Sequence, residues 1–436
     1  MTNSKLKPAK PDVDYNSAGY EIASLFHGQL LSYMVGFYIF AFYLELHNRF
    51  PILQAIRFQF TYGAIIGAMC LYKFLNDQTK QASFNSVTKT TFLLIFIMGI
   101  YTIFSMDRPE SMTVYNDRVI KFALVSFFIY AATDKIADLR VILGFMLLAW
   151  LKIGQEGFLG WSTGSLMWEN QGIQRLHGST AMYGHPNSFS GFAVGCLPYT
   201  VFLLMCVKSN LLRLGLLAII ICSLIIVVNT GSRTGYVAVV VGAAYFFFTL
   251  KTGKMKVILL ASLTVMMTIN LVPQQYKERF ESIFTGHEKE GRSSEKRIEI
   301  IEDAIAVTLR YPLGIGLQAF PKVRNEMFSR SQNTHSLYLE VLTNIGPIGF
   351  IVFSIFIIKL LALNKALIRR LALSKLPDNE KHFLVNLCKG TIGFILIRLL
   401  LGLFGMDLYE IYWWIALGFS LATVKIIYRN EKSNPY

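Results

Sequence analysis

The sequence contains little charge for its length. Only 16% of its 436 residues are Asp, Glu, Lys or Arg, whereas 53% are hydrophobic. Because soluble domains carry about 25% charged residues, this composition argues against a soluble protein, and the apolar excess excludes intrinsic disorder. Five cysteines are too few for a secreted disulfide scaffold. The net charge of +15 would suit a nucleic-acid binder, but so few charges on so apolar a chain do not. A polytopic integral membrane protein remains.

Familiar catalytic motifs are also missing. The sequence contains neither a P-loop nor a G-x-S-x-G element, and its His and Cys residues do not have zinc-site spacing. Asp12-Val-Asp14 matches the D-x-D pattern of metal-dependent sugar transferases, but it lies in a polar stretch without a βαβ context. We therefore expect no metal site and no cofactor, and chemistry carried out by Arg and His.

Long apolar stretches recur along the chain. A membrane-spanning helix needs about 17–25 predominantly apolar residues. By this criterion the sequence predicts an all-α protein with twelve transmembrane helices, near residues 30–46, 54–75, 91–106, 119–133, 139–154, 188–207, 211–229, 235–250, 255–272, 336–361, 387–404 and 409–427.

Basic residues are distributed unevenly between the connecting segments. With the N-terminus in the cytoplasm, 23 Lys and Arg residues fall on the cytoplasmic side and eight in the short outer segments. Since cytoplasmic loops are enriched in Lys and Arg, this bias places both termini inside. The predicted organisation is a cytoplasmic polar tail (1–29), helices 1–9 (30–272), a long outer loop (273–335), helices 10–12 (336–427) and a cytoplasmic tail (428–436). Residues 1–29 lack the apolar segment of a cleavable signal peptide, and 294–309 has the pattern of an amphipathic helix.

Two arginines in outer segments are candidate anion ligands. Arg233 lies in Asn-Thr-Gly-Ser-Arg-Thr-Gly (229–235), where flanking glycines allow the backbone to approach a ligand closely. A guanidinium offers five donors in a fork that matches phosphate oxygens. Arg297 begins the amphipathic helix. The alternatives are an interfacial Arg233 that extends to lipid headgroups and a merely solvated Arg297.

Two histidines are candidates for proton transfer or ligand binding. His335 lies in Gln-Asn-Thr-His-Ser-Leu-Tyr, where the long loop re-enters the membrane. Its imidazole can accept a proton near neutral pH, and Tyr338 is expected on the same helical face. His185 precedes Pro186 and Asn187 in what resembles a helix start. Helix capping is the alternative role for both histidines.

Arg398 lies inside an apolar span, where a charge costs about 2.5–3.5 kcal/mol on insertion scales. It therefore needs a partner, and the candidates are Glu340, Asp407 and Glu410. Its role is either a structural ion pair or substrate binding.

Taken in order, these motifs resemble the O-antigen ligase and O-antigen polymerase superfamily of bacterial membrane glycosyltransferases. The resembling segments are Gly-His-Pro-Asn-Ser-Phe (184–189), Gly-Ser-Arg-Thr-Gly (231–235), Arg297, Tyr-Pro-Leu-Gly-Ile-Gly-Leu (311–317), Asn-Thr-His-Ser-Leu-Tyr-Leu (333–339) and Asn-Ile-Gly-Pro-Ile-Gly (344–349). Ser336 departs from the pattern, because the family often has Asn after the His.

The resemblance implies a GT-C-like, metal-independent, inverting glycosyltransferase of the bacterial inner membrane, with the outer segments in the periplasm. It would move a glycan from undecaprenyl pyrophosphate to an acceptor hydroxyl at the periplasmic face. By resemblance, Arg233 and Arg297 would bind the pyrophosphate and His335 would activate the hydroxyl. His185, Asn187, Tyr338 and Arg398 are supporting candidates.

Several functions remain open on the sequence alone. We expect a polysaccharide polymerase, and the alternatives are a ligase that transfers the glycan to lipid A-core and a transferase with a protein acceptor. A lipid-glycan flippase or transporter is an alternative of another class, although transporters place their charged groups near the membrane midplane. Expected partners are the lipid-linked donor, the acceptor, the bilayer and a polysaccharide chain-length regulator, but not nucleic acid.

Overall fold

The computed structural model describes residues 18–79, 81, 85–170, 172–250, 254, 273–285 and 293–433. Helices dominate this part of the chain. Their bounds are α1 Ala18–Ser24, α2 Leu30–Tyr43, α3 Leu46–Arg49, α4 Pro51–Ala55, α5 Phe58–Leu75, α6 Ser86–Ile103, α7 Arg108–Val114, α8 Lys121–Ala132, α9 Ile136–Ser162, α10 Pro186–Leu204, α11 Asn210–Thr230, α12 Arg233–Thr249, α13 Gln274–Thr285, α14 Ser293–Arg310, α15 Phe320–Phe328, α16 Leu337–Leu373, α17 Asp378–Leu401 and α18 Tyr412–Ser433. A π-helical turn, Tyr115–Ile120, precedes α8, and a short 3-10 helix, Ala181–Tyr183, precedes α10.

One antiparallel hairpin interrupts the helices. Strand β1 (Met167–Asn170) pairs with β2 (Ile173–Leu176), so that Trp168 lies opposite Arg175. The all-α class is therefore confirmed, with this hairpin as a local exception between α9 and α10.

Five of the described helices are long and apolar enough to cross a membrane: α6, α10, α11, α16 and α17. The apolar helices α2 and α12 are shorter. A multi-pass membrane protein is thus supported, while the count of twelve spans remains a prediction. The predicted ninth span, 255–272, lies outside the described residues, as does most of the polar tail, 1–17.

The large helices pack around one continuous apolar core. Helix α10 is central, because it contacts α11, α12 and α17 and most of its residues are buried. On the other side α2 packs on α9, α18 on α8, and α16 on α6. A separate small core joins α14 and α15 through Ala304, Val307, Phe320 and Val323, so residues 293–328 form a compact helical layer of their own.

The helical layer 293–328 is joined to the bundle at a break in α16. Gly346 has φ 62° and ψ −176°, which interrupts the helix just before Pro347. Backbone N–H groups of Ile315 and Gly316 donate to the carbonyls of Thr343 and Asn344, at 3.0 and 2.9 Å. A Cβ atom on Gly346 would lie 2.5 Å from the Leu313 carbonyl oxygen, so the close approach requires glycine. The sequence segments 311–317 and 344–349 therefore form one structural joint.

Candidate functional site

A cavity of about 810 Å³ opens at the end of the bundle where α10, α16 and α18 begin and α17 ends. Helix α14 lies along one side of it. Five of the predicted site residues line the cavity: His185, Asn187, Arg297, His335 and Arg398. The fold therefore brings together residues that are up to 213 positions apart in the sequence, from 185 to 398.

His335 lies on the loop just before α16, and its ring is accessible from the cavity. Its backbone has φ 47°, a left-handed conformation that costs a non-glycine residue about 1–3 kcal/mol. Burial among protein atoms lowers the pKa of His335, and the charges of Arg297 and Arg324 lower it further. The imidazole is consequently neutral near pH 7 and can accept a proton.

His185 has a different hydrogen-bonding role. It is the N-cap of α10, and its Nδ1 accepts a hydrogen bond from the Asn187 backbone N–H at 3.1 Å. Because that contact needs a lone pair on Nδ1, the neutral ring carries its proton on Nε2. Burial lowers the pKa of His185, and Arg175 and His335 add to the effect. His185 is thus a capping residue that is also placed to donate into the cavity.

The sequence alone does not show whether Arg175, His177 or Lys322 touches a substrate. In the structure, Arg175 lies between the start of α10 and the turn before α12. Arg175 is completely buried; its Nε donates to the Thr230 carbonyl oxygen at 2.7 Å and its Nη2 to Asn187 Oδ1 at 2.6 Å. One guanidinium therefore connects the β-hairpin, the start of α10 and the turn before α12. The pattern of residue types gives no hint of this, because both contacts are tertiary. His177 and Lys322 do not line the cavity.

Arg233 is the first residue of α12 and is half-buried. The preceding Gly231 has φ 58°, and Ser232 Oγ caps the helix by accepting from the Gly235 N–H at 3.3 Å. The neighbours Ser232 and Thr234 line the cavity, but Arg233 does not. The turn is therefore at the cavity wall, with neutral donors facing it.

Arg297 reaches the cavity from α14, with its Cζ 5.2 Å from the centre of the Phe404 ring. The buried Arg324 holds α14 against α15, since its Nε donates to Asp303 Oδ2 at 2.7 Å. Because this helix packs across the bundle, Arg297 lines the cavity and is not merely a solvated surface residue.

Arg398 forms an ion pair with one of its three predicted partners. Its Nη1 lies 3.8 Å from Asp407 Oδ2, and its Cζ lies 3.3 Å from the centre of the Tyr412 ring. The other candidates have different contacts: Glu340 Oε2 accepts from the Leu408 N–H at 3.1 Å, and Glu410 pairs with Arg118 at 2.5 Å. Burial raises the pKa of Asp407 to about 6, although Arg398 opposes that rise.

Tyr338 differs from its predicted position. The prediction put it on a helical face with His335, but Ser336 is the N-cap of α16 and His335 lies outside the helix. The Tyr338 hydroxyl instead donates to the Leu399 carbonyl oxygen at 2.9 Å, and the residue does not line the cavity. Tyr338 therefore joins α16 to α17.

Charged residues that the sequence did not single out also line the cavity. They are Glu110, Arg118, Lys296, Glu299 and Arg330. Arg330 pairs with Glu299 at 3.1 Å and with Asp303 at 3.2 Å. Within the described ranges, no group of three or more His, Cys, Asp or Glu side chains could hold a metal ion. The cavity is therefore lined by many charges of both signs.

Comparison with known proteins gives one family. A family described as O-antigen ligase matches residues 217–354, which extend from α11 through the break in α16 and include Arg233, Arg297 and His335. No curated protein matches the chain. This match supports the resemblance noted in the sequence, because residues 217–354 are similar to the O-antigen ligase family.

Proposed function

We propose that this protein is a membrane glycosyltransferase that moves a glycan from undecaprenyl pyrophosphate to an acceptor hydroxyl at the periplasmic face. The observation that carries the proposal is a single cavity that holds His335 and Arg297 and is bordered by the turn around Arg233, all within the family-matched region. We further propose a location in the bacterial inner membrane, with the cavity end of the bundle outside.

His335 acts as the general base. Its lowered pKa keeps the ring neutral, so it can take the proton from the acceptor hydroxyl within hydrogen-bond distance, about 3 Å. The hydroxyl oxygen then attacks the anomeric carbon while the bond from that carbon to the pyrophosphate oxygen breaks, and the electron pair leaves with the pyrophosphate. One direct displacement inverts the anomeric configuration.

The arginines stabilise the negative charge on the leaving pyrophosphate. Arg297 lies at the cavity wall, and Arg233 follows the capping Ser232 at the start of α12. Guanidinium donors stabilise the negative charge that develops on the bridging oxygen. The reaction that we propose uses these donors in place of a metal ion.

Two acceptors are compatible with this chemistry. A polymerase would use the next lipid-linked glycan, and a ligase would use lipid A-core. The description of the matching family, O-antigen ligase, favours the second, whereas the charges of the cavity, discussed below, favour the first. Donor binding and the His335 step are the same in both.

The roles can be tested by reconstitution of the full chain in lipid nanodiscs with an undecaprenyl-pyrophosphate glycan, a glycan acceptor and EDTA. We expect His335→Ala to lower kcat by about 10²–10⁴-fold, the usual contribution of a positioned base. Arg233→Ala and Arg297→Ala should each cost about 10²–10³-fold.

Arg310→Ala is the matched control, because Arg310 is the exposed last residue of the helix that carries Arg297. A surface change of this kind should alter the rate by less than about twofold. Transfer that survives all three site substitutions would refute the assigned roles. Activity that EDTA abolishes and Mg²⁺ restores would refute the metal-independent reaction.

A further inference from the structure

The cavity is lined by a second group of polar side chains besides Arg297 and His335. We call it the Arg398 subsite, formed by Arg398, Asp407, Glu410, Glu340 and Tyr412, all of which line the cavity. Its members come from α16, α17, the 402–411 segment and the start of α18.

The Arg398 subsite has polar atoms without hydrogen-bond partners in the described part of the chain. The Arg398 side chain is only 4% exposed, and its Nε has no acceptor. Asp407 Oδ2 and Glu410 Oε2 are likewise buried without a hydrogen bond. Because buried donors and acceptors are nearly always satisfied, these atoms are candidates for hydrogen bonds to a polar ligand in the cavity.

The charge of the Arg398 subsite disfavours a phosphate as its ligand. Two carboxylates, those of Asp407 and Glu410, lie beside one buried guanidinium, and the nearby Arg118 is already paired with Glu410. A phosphate placed there would meet like charges in a partly desolvated site. The arrangement thus differs from the side of the cavity formed by Arg297 and Lys296.

Sugar hydroxyls fit this arrangement. A hydroxyl group both donates and accepts, so it can donate to Asp407 or Glu410 and accept from the Arg398 Nε–H. The Tyr412 ring, which stacks beneath the guanidinium, adds an apolar surface next to these groups. An amino sugar would gain a further attraction to the carboxylates.

We propose that the Arg398 subsite binds the accepting sugar of the glycan acceptor, and that it selects sugars without phosphate or carboxylate groups. This inference rests on the proposed transferase function. It favours a repeat-unit glycan over a phosphorylated core oligosaccharide as the acceptor, and therefore a polymerase over a ligase.

The test uses the reconstituted full chain and two soluble acceptors. One is an uncharged oligosaccharide, and the other is identical except for a phosphate monoester on the accepting sugar. We expect kcat/KM for the uncharged acceptor to be at least about tenfold higher. Asp407→Asn should raise KM for the uncharged acceptor about tenfold, leave KM for the donor unchanged, and reduce the discrimination against phosphate.

Asp378→Asn is the control, because the Asp378 side chain is 95% exposed and lies at the start of α17, away from the cavity. Glu410→Gln provides a second variant that also removes one negative charge, and it should reduce discrimination in the same direction. A purely structural role for Asp407 would lower activity on both acceptors equally.

Three outcomes would overturn the inference while leaving the transferase intact. They are equal use of the two acceptors by the unmodified chain, discrimination that Asp407→Asn and Glu410→Gln leave unchanged, and a rise in the donor KM instead of the acceptor KM. The absence of transfer to any acceptor, with His335→Ala indistinguishable from the unmodified chain, would instead refute the proposed function.

Discussion

Two histidines at the same cavity have opposite hydrogen-bonding roles at the scale of single residues. His185 uses Nδ1 to cap α10, so its remaining nitrogen is a donor. No side-chain hydrogen bond of His335 occurs within the described residues, and its backbone has a left-handed conformation just before α16. Of the two, only His335 has a free lone pair for the acceptor proton. The sequence contains both histidines in equally plausible contexts, and only the cap geometry separates them.

The pH dependence of transfer tests this assignment. A base acts when it is deprotonated, and burial together with Arg297 and Arg324 lowers the pKa of His335. We therefore expect kcat/KM to be constant near neutral pH and to fall on the acid side with a midpoint below about 6.5, the ordinary pKa of histidine.

Asp407 titrates in the same range, since its pKa is raised to about 6. The Asp407→Asn variant separates the two groups, because the acid-side decrease should persist in it if His335 is responsible. A decrease that vanishes in Asp407→Asn, or one with a midpoint above 7, would assign the titration to another group.

The break in α16 is the feature that matters most at the scale of elements. It allows the 311–317 segment to reach the carbonyls of Thr343 and Asn344, and that joint holds the layer carrying Arg297 against the bundle that carries His335. Nothing in the apolar pattern of 336–361 predicts the break. The glycines and the proline of 344–349 predict a local departure from helix, but not the segment that docks there.

Gly346→Ala should therefore destabilise the protein. Its φ of 62° is unfavourable for alanine, and the new Cβ would lie 2.5 Å from the Leu313 carbonyl oxygen. We expect a loss of about 1–3 kcal/mol in the free energy of unfolding, measured as a lower Tm in detergent.

Gly215→Ala is the matched control, since Gly215 lies within α11 and a Cβ there would meet no atom within 4 Å. Alanine is favoured over glycine inside a helix, so its Tm should stay the same or rise. Equal Tm values for the two variants would show that the joint tolerates a side chain and that the break does not depend on glycine.

The sequence predicted helices better than it predicted the site. Long apolar stretches give the positions of α10, α11 and α17 because each pattern is local. The Arg398 subsite combines residues from four elements, and Arg175 acts through one carbonyl and one amide oxygen in two other elements. Such contacts depend on tertiary packing, so residue types and spacing could suggest Arg398 and its partner candidates but not which of them it meets.

At the scale of the whole molecule, charged residues have different roles at the two ends of the bundle. Opposite the cavity, Lys425 of α18 lies 2.9 Å from both Asp77, which follows α5, and Asp134, which follows α8. Arg429 pairs with the same two carboxylates at 3.0 and 2.8 Å. One buried network therefore ties three parts of the bundle together at the end that the charge bias assigns to the cytoplasm, whereas the charges at the other end line a cavity.

This network predicts a large effect from a single change far from the cavity. Lys425→Met would remove the central buried cation from Asp77 and Asp134. Arg429 and, at Asp134, Lys73 remain as partners, so the cost should lie below the roughly 3–5 kcal/mol of a fully broken buried pair. We expect that loss in the free energy of unfolding in detergent, with Lys432→Met, an exposed change in the same helix, close to the unmodified value. The double variant Lys425→Met with Asp77→Asn should be less destabilised than the sum of its single changes, because it removes one of the two carboxylates that lose Lys425 as a partner.

The contacts of Asp77 and Asp134 also determine how the stability of the folded protein changes with pH. Burial alone would raise the pKa of Asp77 and of Asp134, but Lys425 and the other donors outweigh it and hold both pKa values below the ordinary range. A carboxyl with a lowered pKa in the folded state stabilises the protein above its unfolded pKa of about 3.9 and loses that contribution as the pH falls. Acid should thus destabilise the unmodified chain more than Asp77→Asn. Equal acid sensitivity of the two proteins would show that Asp77 is not ionised and paired in the folded state, and the network would then be held by Asp134 alone.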